Sequence, residues 1–298
     1  MRRLILIVLL CLTSQPTSSN AEDLLVAVQR PPRVETYAID GKSGAIKLKS
    51  TVELPGSPGP MTLTKDKTRL YVAVRIPGEK GKRSSSGVAT LSRAANGELK
   101  VISSKPLPAF PTYLLIDATG KWLLSAHYGE GQCAVIPVKN GVAQGEFVQI
   151  AKTDSRAHCI VIEKQNRFAF VPHTSPNKVF QFKIDSQAGK LIPNNPPSAD
   201  GPDEDHDYHQ PRHIDFHPTL SRAYTANERG GGISVWNFNS KNGTLKLAQT
   251  LSSLPPTFKG KSAAADVHVT ANGKFVYVSN RDLESDSSKA QDTLAGYS

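Results

Sequence analysis

Two sets of markers recur about every fifty residues with alternating apolar segments between them, predicting an all-β chain of four-stranded repeats, a β-propeller. The first set is the large residue inside the second strand of each hairpin. It comprises Tyr71, Leu124, Phe170, Tyr224 and Tyr277, spaced 53, 46, 54 and 53 residues apart. The second set is a series of glycine turns at Lys42-Ser43-Gly44, Ala95-Asn96-Gly97, Lys139-Asn140-Gly141, Gln187-Ala188-Gly189 and Lys241-Asn242-Gly243, spaced 53, 44, 48 and 54 apart. Segments such as Val34 to Ile39 and Ile233 to Phe238 alternate with period 2, which fits half-buried strands and excludes a helical solenoid.

The chain begins with a segment that reads as a secretory leader. Arg2 and Arg3 form a charged start, and Leu4 to Leu12 form an apolar run too short to span a bilayer. Ser19-Asn20-Ala21 supplies small residues for cleavage, so residues 1–21 are expected to be removed as a signal peptide before Glu22. Residues 22–298 then form one propeller domain. Its first strand, Leu24 to Val28, has no inner strand before it and is expected to complete the last repeat.

Each anchor of the first set follows a turn, and the last of these, Ala271-Asn272-Gly273, carries the Asn-Gly pair that favours a two-residue hairpin. Roughly five and a half repeats fit into the mature chain. The final one stops near Leu294 to Tyr297, at about its third strand, so a larger ring that is C-terminally incomplete is expected. Two low-complexity loops are predicted: a basic, Ser/Gly-rich one from Gly78 to Ser86, and an acidic one from Pro196 to Gln210.

With 38% hydrophobic and 21% charged residues, the chain can bury a sizeable core. The net charge of +10 arises from scattered basic residues with no interleaved aromatics, so no nucleic-acid partner is expected. Nothing after the leader is apolar enough for a membrane helix. The expected location is therefore periplasmic or extracellular, without membrane contact after cleavage, and cytoplasmic if the leader goes unused. Cys11 departs with the leader. Cys133 and Cys159 fall in different repeats and are expected as buried free thiols, and without a C-x-x-C pair no cysteine zinc site forms.

Counting from each anchor, the position twelve residues before it opens the inner strand and reads Gly59, Thr112, His158, Arg212 and Ala265. The position four residues after it reads Arg75, Tyr128, Thr174, Glu228 and Arg281. Both positions project from one face of the ring. His158, Arg212, Glu228 and Arg281 therefore converge from neighbouring repeats on a central mouth, where ligands are usually bound. Two arginines can grip an anionic oxygen. Glu228 is suited to take a proton from water, and His158 to give one to a leaving alkoxide. No G-x-S-x-G elbow supports a serine nucleophile. His206, His209 and His213 invite a metal assignment, but their setting reads as a polar loop, and no metal is expected.

At these residues the sequence resembles the lactonase family of seven-bladed propellers, which includes the propeller-type 6-phosphogluconolactonases and the carboxy-cis,cis-muconate cyclases. The resemblance is carried by Ala157-His158, Pro211-Arg212-His213 with Phe216-His217-Pro218, Asn227-Glu228, and Asn272-Gly273-Lys274 through Tyr277 to Arg281. It implies a His, Arg, Glu, Arg site, at His158, Arg212, Glu228 and Arg281, and cofactor-free hydrolysis of a small anionic sugar-type lactone by a monomer. The alternatives are a lactone-forming cyclase using the same residues, and a non-catalytic envelope-binding propeller or inactive fragment.

Overall fold

The computed structural model describes residues 7–10, 22–78, 84–205, 208–284 and 290–298. The expected leader apart from 7–10, the middle of the basic loop at 79–83, and His206 lie outside the described residues.

Among the described residues there is no helix, and the strands form six small antiparallel sheets in chain order. The first holds β1 (Ile7–Leu10), β2 (Glu22–Gln29), β3 (Pro32–Ile39) and β4 (Ile46–Glu53). The second holds β5 (Ser57–Leu63), β6 (Arg69–Ile76), β7 (Ser85–Arg93) and β8 (Leu99–Leu107). The third has β9 (Tyr113–Ile116), β10 (Trp122–His127), β11 (Gln132–Lys139), β12 (Val142–Ala143) and β13 (Gln149–Lys152). Next come β14 (Val161–Ile162), β15 (Phe168–His173), β16 (Lys178–Asp185) and β17 (Lys190–Asp200). The fifth sheet contains β18 (His209–Phe216), β19 (Arg222–Arg229), β20 (Gly232–Asn239) and β21 (Thr244–Ser252). The sixth contains β22 (Ser262–Val269), β23 (Val276–Asp282) and β24 (Thr293–Tyr297).

The repeat markers fall where their spacing put them. Tyr71, Leu124, Phe170, Tyr224 and Tyr277 lie in β6, β10, β15, β19 and β23, the second strand of each of five successive sheets. The marker glycines Gly44, Gly97, Gly141, Gly189 and Gly243 all have φ between 65° and 89°, a left-handed conformation that a side chain disfavours. Two expectations are corrected. Leu24 to Val28 does not complete the last sheet: it lies in β2 and pairs with β3 on one side and, through Leu24–Ala27, with β1 on the other. The predicted loops are also shorter than expected, because Pro196–Asp200 belong to β17 and Ser85–Ser86 to β7. Backbone pairing to β16 and β6 wins there over a polar, proline-rich composition that reads locally as loop.

The chain divides into two compact units, residues 1–125 with 134–150, and residues 126–133 with 151–298. In the first, Leu25, Val34, Met61, Leu70, Val72 and Leu91 share one buried cluster, and Tyr71, Val88, Leu114, Leu123 and Ile136 share another. Asp23 is buried there between Lys49 Nζ at 2.7 Å and Arg93 Nη2 at 2.6 Å. In the second unit, Phe170, Phe216 and Phe238 pack with ring centroids 5.0–5.6 Å apart. Trp236 is fully buried, and its indole N–H donates to Thr225 Oγ1 at 3.0 Å. Buried Gln181 joins two sheets of this unit: its Oε1 accepts from the Leu245 N–H of β21 at 2.6 Å, while its Nε2 donates to the Pro196 carbonyl. Cys133 and Cys159 are both buried thiols outside any disulfide, and burial pushes the Cys133 thiol up.

Candidate active site

The second unit contains all four residues singled out by the repeat spacing, and irregular pairing in its inner strands is what presents them. In β18, His209 pairs with Arg229 and Pro211 with Asn227, but His213 then pairs with Ala226, leaving Arg212 as an extra residue in a bulge. Pro211 has no N–H to give the ladder, and Gln210 beside it has φ 68°, so the sequence favours an irregularity here. In β22 the ladder slips between Ala264 and Val267, which frees Ala265 and Asp266. A bulged residue escapes the pleat and is turned toward a new direction. Glu228 and Arg281 lie near the ends of β19 and β23. His158 enters beside β15, with its N–H donating to the Pro172 carbonyl at 3.1 Å.

Glu228 is the junction of the group. Its Oε1 accepts from Arg281 Nη2 at 2.7 Å and lies 3.6 Å from Arg212 Nε. Arg281 also reaches the Ala263 and Ala264 carbonyls at 3.4 Å. Arg212 Nη1 donates to the Ala265 carbonyl in the next inner strand. Burial first, and Arg281 second, bring the Arg212 guanidinium down to about 10. It remains a cation at neutral pH.

His158 joins through rings rather than through a hydrogen bond to Arg or Glu. Its centroid lies 5.2 Å from that of His213, and Tyr128 meets it edge-on at 5.6 Å. Its Nδ1 is buried without a hydrogen-bond partner. Burial first, and the Arg212 charge second, hold His158 well below the usual imidazole value, so the ring is neutral. Proton donation to an alkoxide, the role expected for it, calls for an imidazolium that these neighbours oppose. A neutral ring is suited instead to aligning an oxygen by hydrogen bonding.

Four neighbours were not assigned to the site by the sequence reasoning. His213 Nδ1 lies 2.7 Å from Asp266 Oδ1, His268 Nε2 lies 3.3 Å from Asp266 Oδ2, and His268 Nδ1 lies 3.8 Å from Asp215 Oδ2. Burial raises the Asp266 carboxyl, but His213 and His268 outweigh it and hold the group well below its ordinary value. Burial lowers His213 against the pull of Asp266, and the hydrogen bond to Asp266 raises His268. The repeat register held a signal for these groups. His213 and Asp266 are one 53-residue step apart, as are Asp215 and His268. His213 and Asp266 follow the Arg212-type positions by one residue, and Asp215 and His268 follow them by three. Among the described residues no cluster of His, Cys, Asp and Glu has the arrangement of a metal site. His213, from the histidine-rich stretch, is committed to Asp266.

A family model described as a lactonase, 7-bladed beta-propeller, matches residues 23–298. The 6-phosphogluconolactonase of Serratia proteamaculans is 33% identical over 243 residues, covering 80% of this chain and 68% of that protein. The 6-phosphogluconolactonase of Yersinia enterocolitica is 31% identical over 245 residues, covering 81% and 68%. Among solved structures, the periplasmic gluconolactonase of Pseudomonas aeruginosa superposes with a TM-score of 0.73 at 24% identity, over 91% of this chain and 82% of that one. At that identity the superposition speaks for the fold alone. Among the described residues no helix is long and apolar enough to cross a membrane.

Proposed function

Because the chain belongs to the lactonase family of seven-bladed β-propellers, we propose that it hydrolyses a sugar-type lactone at the cluster of His158, Arg212, Glu228 and Arg281. Two arginines facing one carboxylate oxygen carry this proposal, Arg281 at 2.7 Å and Arg212 at 3.6 Å from Glu228 Oε1. The pair holds the carboxylate in place, as a general base requires, while further guanidinium N–H groups remain to bind an anionic oxygen.

In this scheme Glu228 takes a proton from water as the water oxygen bonds to the lactone carbonyl carbon. The carbonyl π electrons move onto oxygen, and the arginines stabilise that oxyanion. Collapse re-forms the carbonyl and breaks the ring C–O bond. The proton held by Glu228 passes to the leaving oxygen, which the neutral His158 helps to align. Water is added, one C–O bond is broken, and Glu228 is returned as carboxylate.

The two arginines give the site a cationic character that favours a lactone bearing a phosphate or carboxylate, and relatives named 6-phosphogluconolactonase support such a substrate. We further propose that the chain is exported after loss of residues 1–21. Intact-mass measurement on protein from its native host should then show Glu22 at the N-terminus, and a retained Met1 would refute export. The activity is tested by following acid release from gluconolactone and from its 6-phosphorylated form. Hydrolysis of either by the wild-type chain but not by Glu228→Gln supports the assignment. Equal rates in the two proteins would remove Glu228 from the chemistry.

A further inference from the structure

The bulges in β18 and β22 place a histidine and a carboxylate from adjacent inner strands against Arg212. His213 Nδ1 is 2.7 Å from Asp266 Oδ1, a distance at which the carboxylate must accept a proton carried on Nδ1. A neutral imidazole has a single N–H, so the other nitrogen, Nε2, is then left as an acceptor. That nitrogen is the one facing Arg212 Nη1, 3.5 Å away. The same Nη1 donates to the carbonyl of Ala265, the residue next to Asp266 in the β22 bulge. One bulge thus holds the guanidinium twice, directly through a carbonyl and indirectly through the orientation of an imidazole. Were the His213 proton on Nε2, two donors would point at each other.

We propose that Asp266 and His213 are positioning residues for Arg212: Asp266 fixes the His213 proton on Nδ1, and the bare Nε2 then steadies the guanidinium that binds the lactone's anionic oxygen. The last clause rests on the function proposed above, whereas the tautomer and the steadying of Arg212 do not. The groups facing His213 are Asp266, Arg212, His158 and His268, and Asp266 alone among them favours a second proton on the ring. Burial, aided by Arg212 and His268, outweighs that pull and lowers His213, and ionised Asp266 selects which nitrogen keeps the one proton. The half-exposed Asp266 side chain also makes its replacement tolerable to the fold.

Nitrogen-15 correlation spectra of the histidine-labelled wild-type chain give the first test. His213 should carry its proton on Nδ1, and a proton on Nε2 would overturn the proposal. Rotation of the Arg212 guanidinium, read from its nitrogen resonances, should be slow in the wild type and speed up by about tenfold in Asp266→Ala. An unchanged rotation would also overturn it. In lactone hydrolysis, Asp266→Ala and His213→Leu should raise KM about tenfold with kcat within about threefold. Asp266→Asn, which still offers an acceptor, and His213→Gln, whose carbonyl oxygen can stand near the Nε2 position, should recover much of that loss. A buttress that merely filled space would show no such recovery. If His213→Gln instead lowers kcat about a hundredfold at unchanged KM, His213 moves protons and does not hold Arg212. A wild-type chain inactive on both gluconolactones would remove the functional proposal, while the tautomer and the rotation would still decide whether Arg212 is positioned this way.

Discussion

In the hairpin of β5 and β6 the ladder slips at Gly59 and Pro60, and in the hairpin of β18 and β19 it slips at Arg212, the same place in the repeat. At the outer end of the partner strand stand Arg75 in the first case and Glu228 in the second. Gly59 leaves room for Phe110, over whose ring the Arg75 guanidinium lies at 3.9 Å. Arg212 instead lies 3.6 Å from the Glu228 carboxylate. One backbone plan therefore yields an aromatic plug with a stacked cation in one unit and an ionic cluster in the other. The strands set where side chains converge, and the residue at the bulge and the strand end decides the chemistry.

The largest expected contrast is catalytic. Glu228→Gln should lower kcat by roughly 10²–10⁴ with KM little changed, since it keeps shape but removes the base. Arg75→Gln, at the matching position of the other hairpin, should leave steady-state kinetics unaltered. A comparable loss from both would mean that the effect is structural.

The next contrast concerns packing. A Cβ at Gly59 would lie 2.5 Å from Phe110 Cζ, so Gly59→Ala must displace the ring and its stacked arginine. We expect destabilisation of about 1–3 kcal/mol in urea melts, typical of overpacking. No change would show that Phe110 has space to retreat.

Arg281→Lys keeps the charge but loses the planar fork that reaches Glu228 and two carbonyls. KM should rise about tenfold for a phosphorylated lactone and by less for an uncharged one. An equal rise for both would assign Arg281 to the lactone ring rather than to the anion.

The smallest effect is on pH dependence. His158 and His213 have folded values below the ordinary imidazole value of about 6.5, so the unfolded chain binds more protons below that pH and stability falls on acidification. His268, raised by Asp266, contributes in the opposite sense, losing stability as pH rises through its folded value. The two lowered histidines should prevail between pH 7 and 5. His158→Gln should flatten the denaturation midpoint against pH, and an unaltered slope would show that His158 is not buried as a neutral ring.

Much of this was legible in the sequence because the repeat is nearly regular. Anchors such as Tyr71 and Tyr224 and the left-handed glycines Gly44 and Gly243 obey local rules of alternation and turn geometry, so spacing alone located them. The same register brought out Arg212, Glu228 and Arg281, which the structure brings within ion-pair reach. Asp266 escaped because its importance depends on a slip in the β22 ladder, and a bulge leaves no mark in apolar alternation. The strand Leu24 to Val28 illustrates a second limit. Which sheet an unpaired strand joins depends on non-local pairing, and its own residues do not encode that choice.

The bulge in each of these inner strands also bears on how such a protein changes over generations. A residue outside the ladder owes the sheet no cross-strand pair, so its exchange is limited by the side chains it meets and not by the ladder. Gly59, Arg212 and Ala265 occupy equivalent sockets of this kind and already differ in size and charge. New specificities can accumulate at these sockets one substitution at a time, while selection for foldability acts on the paired residues between them.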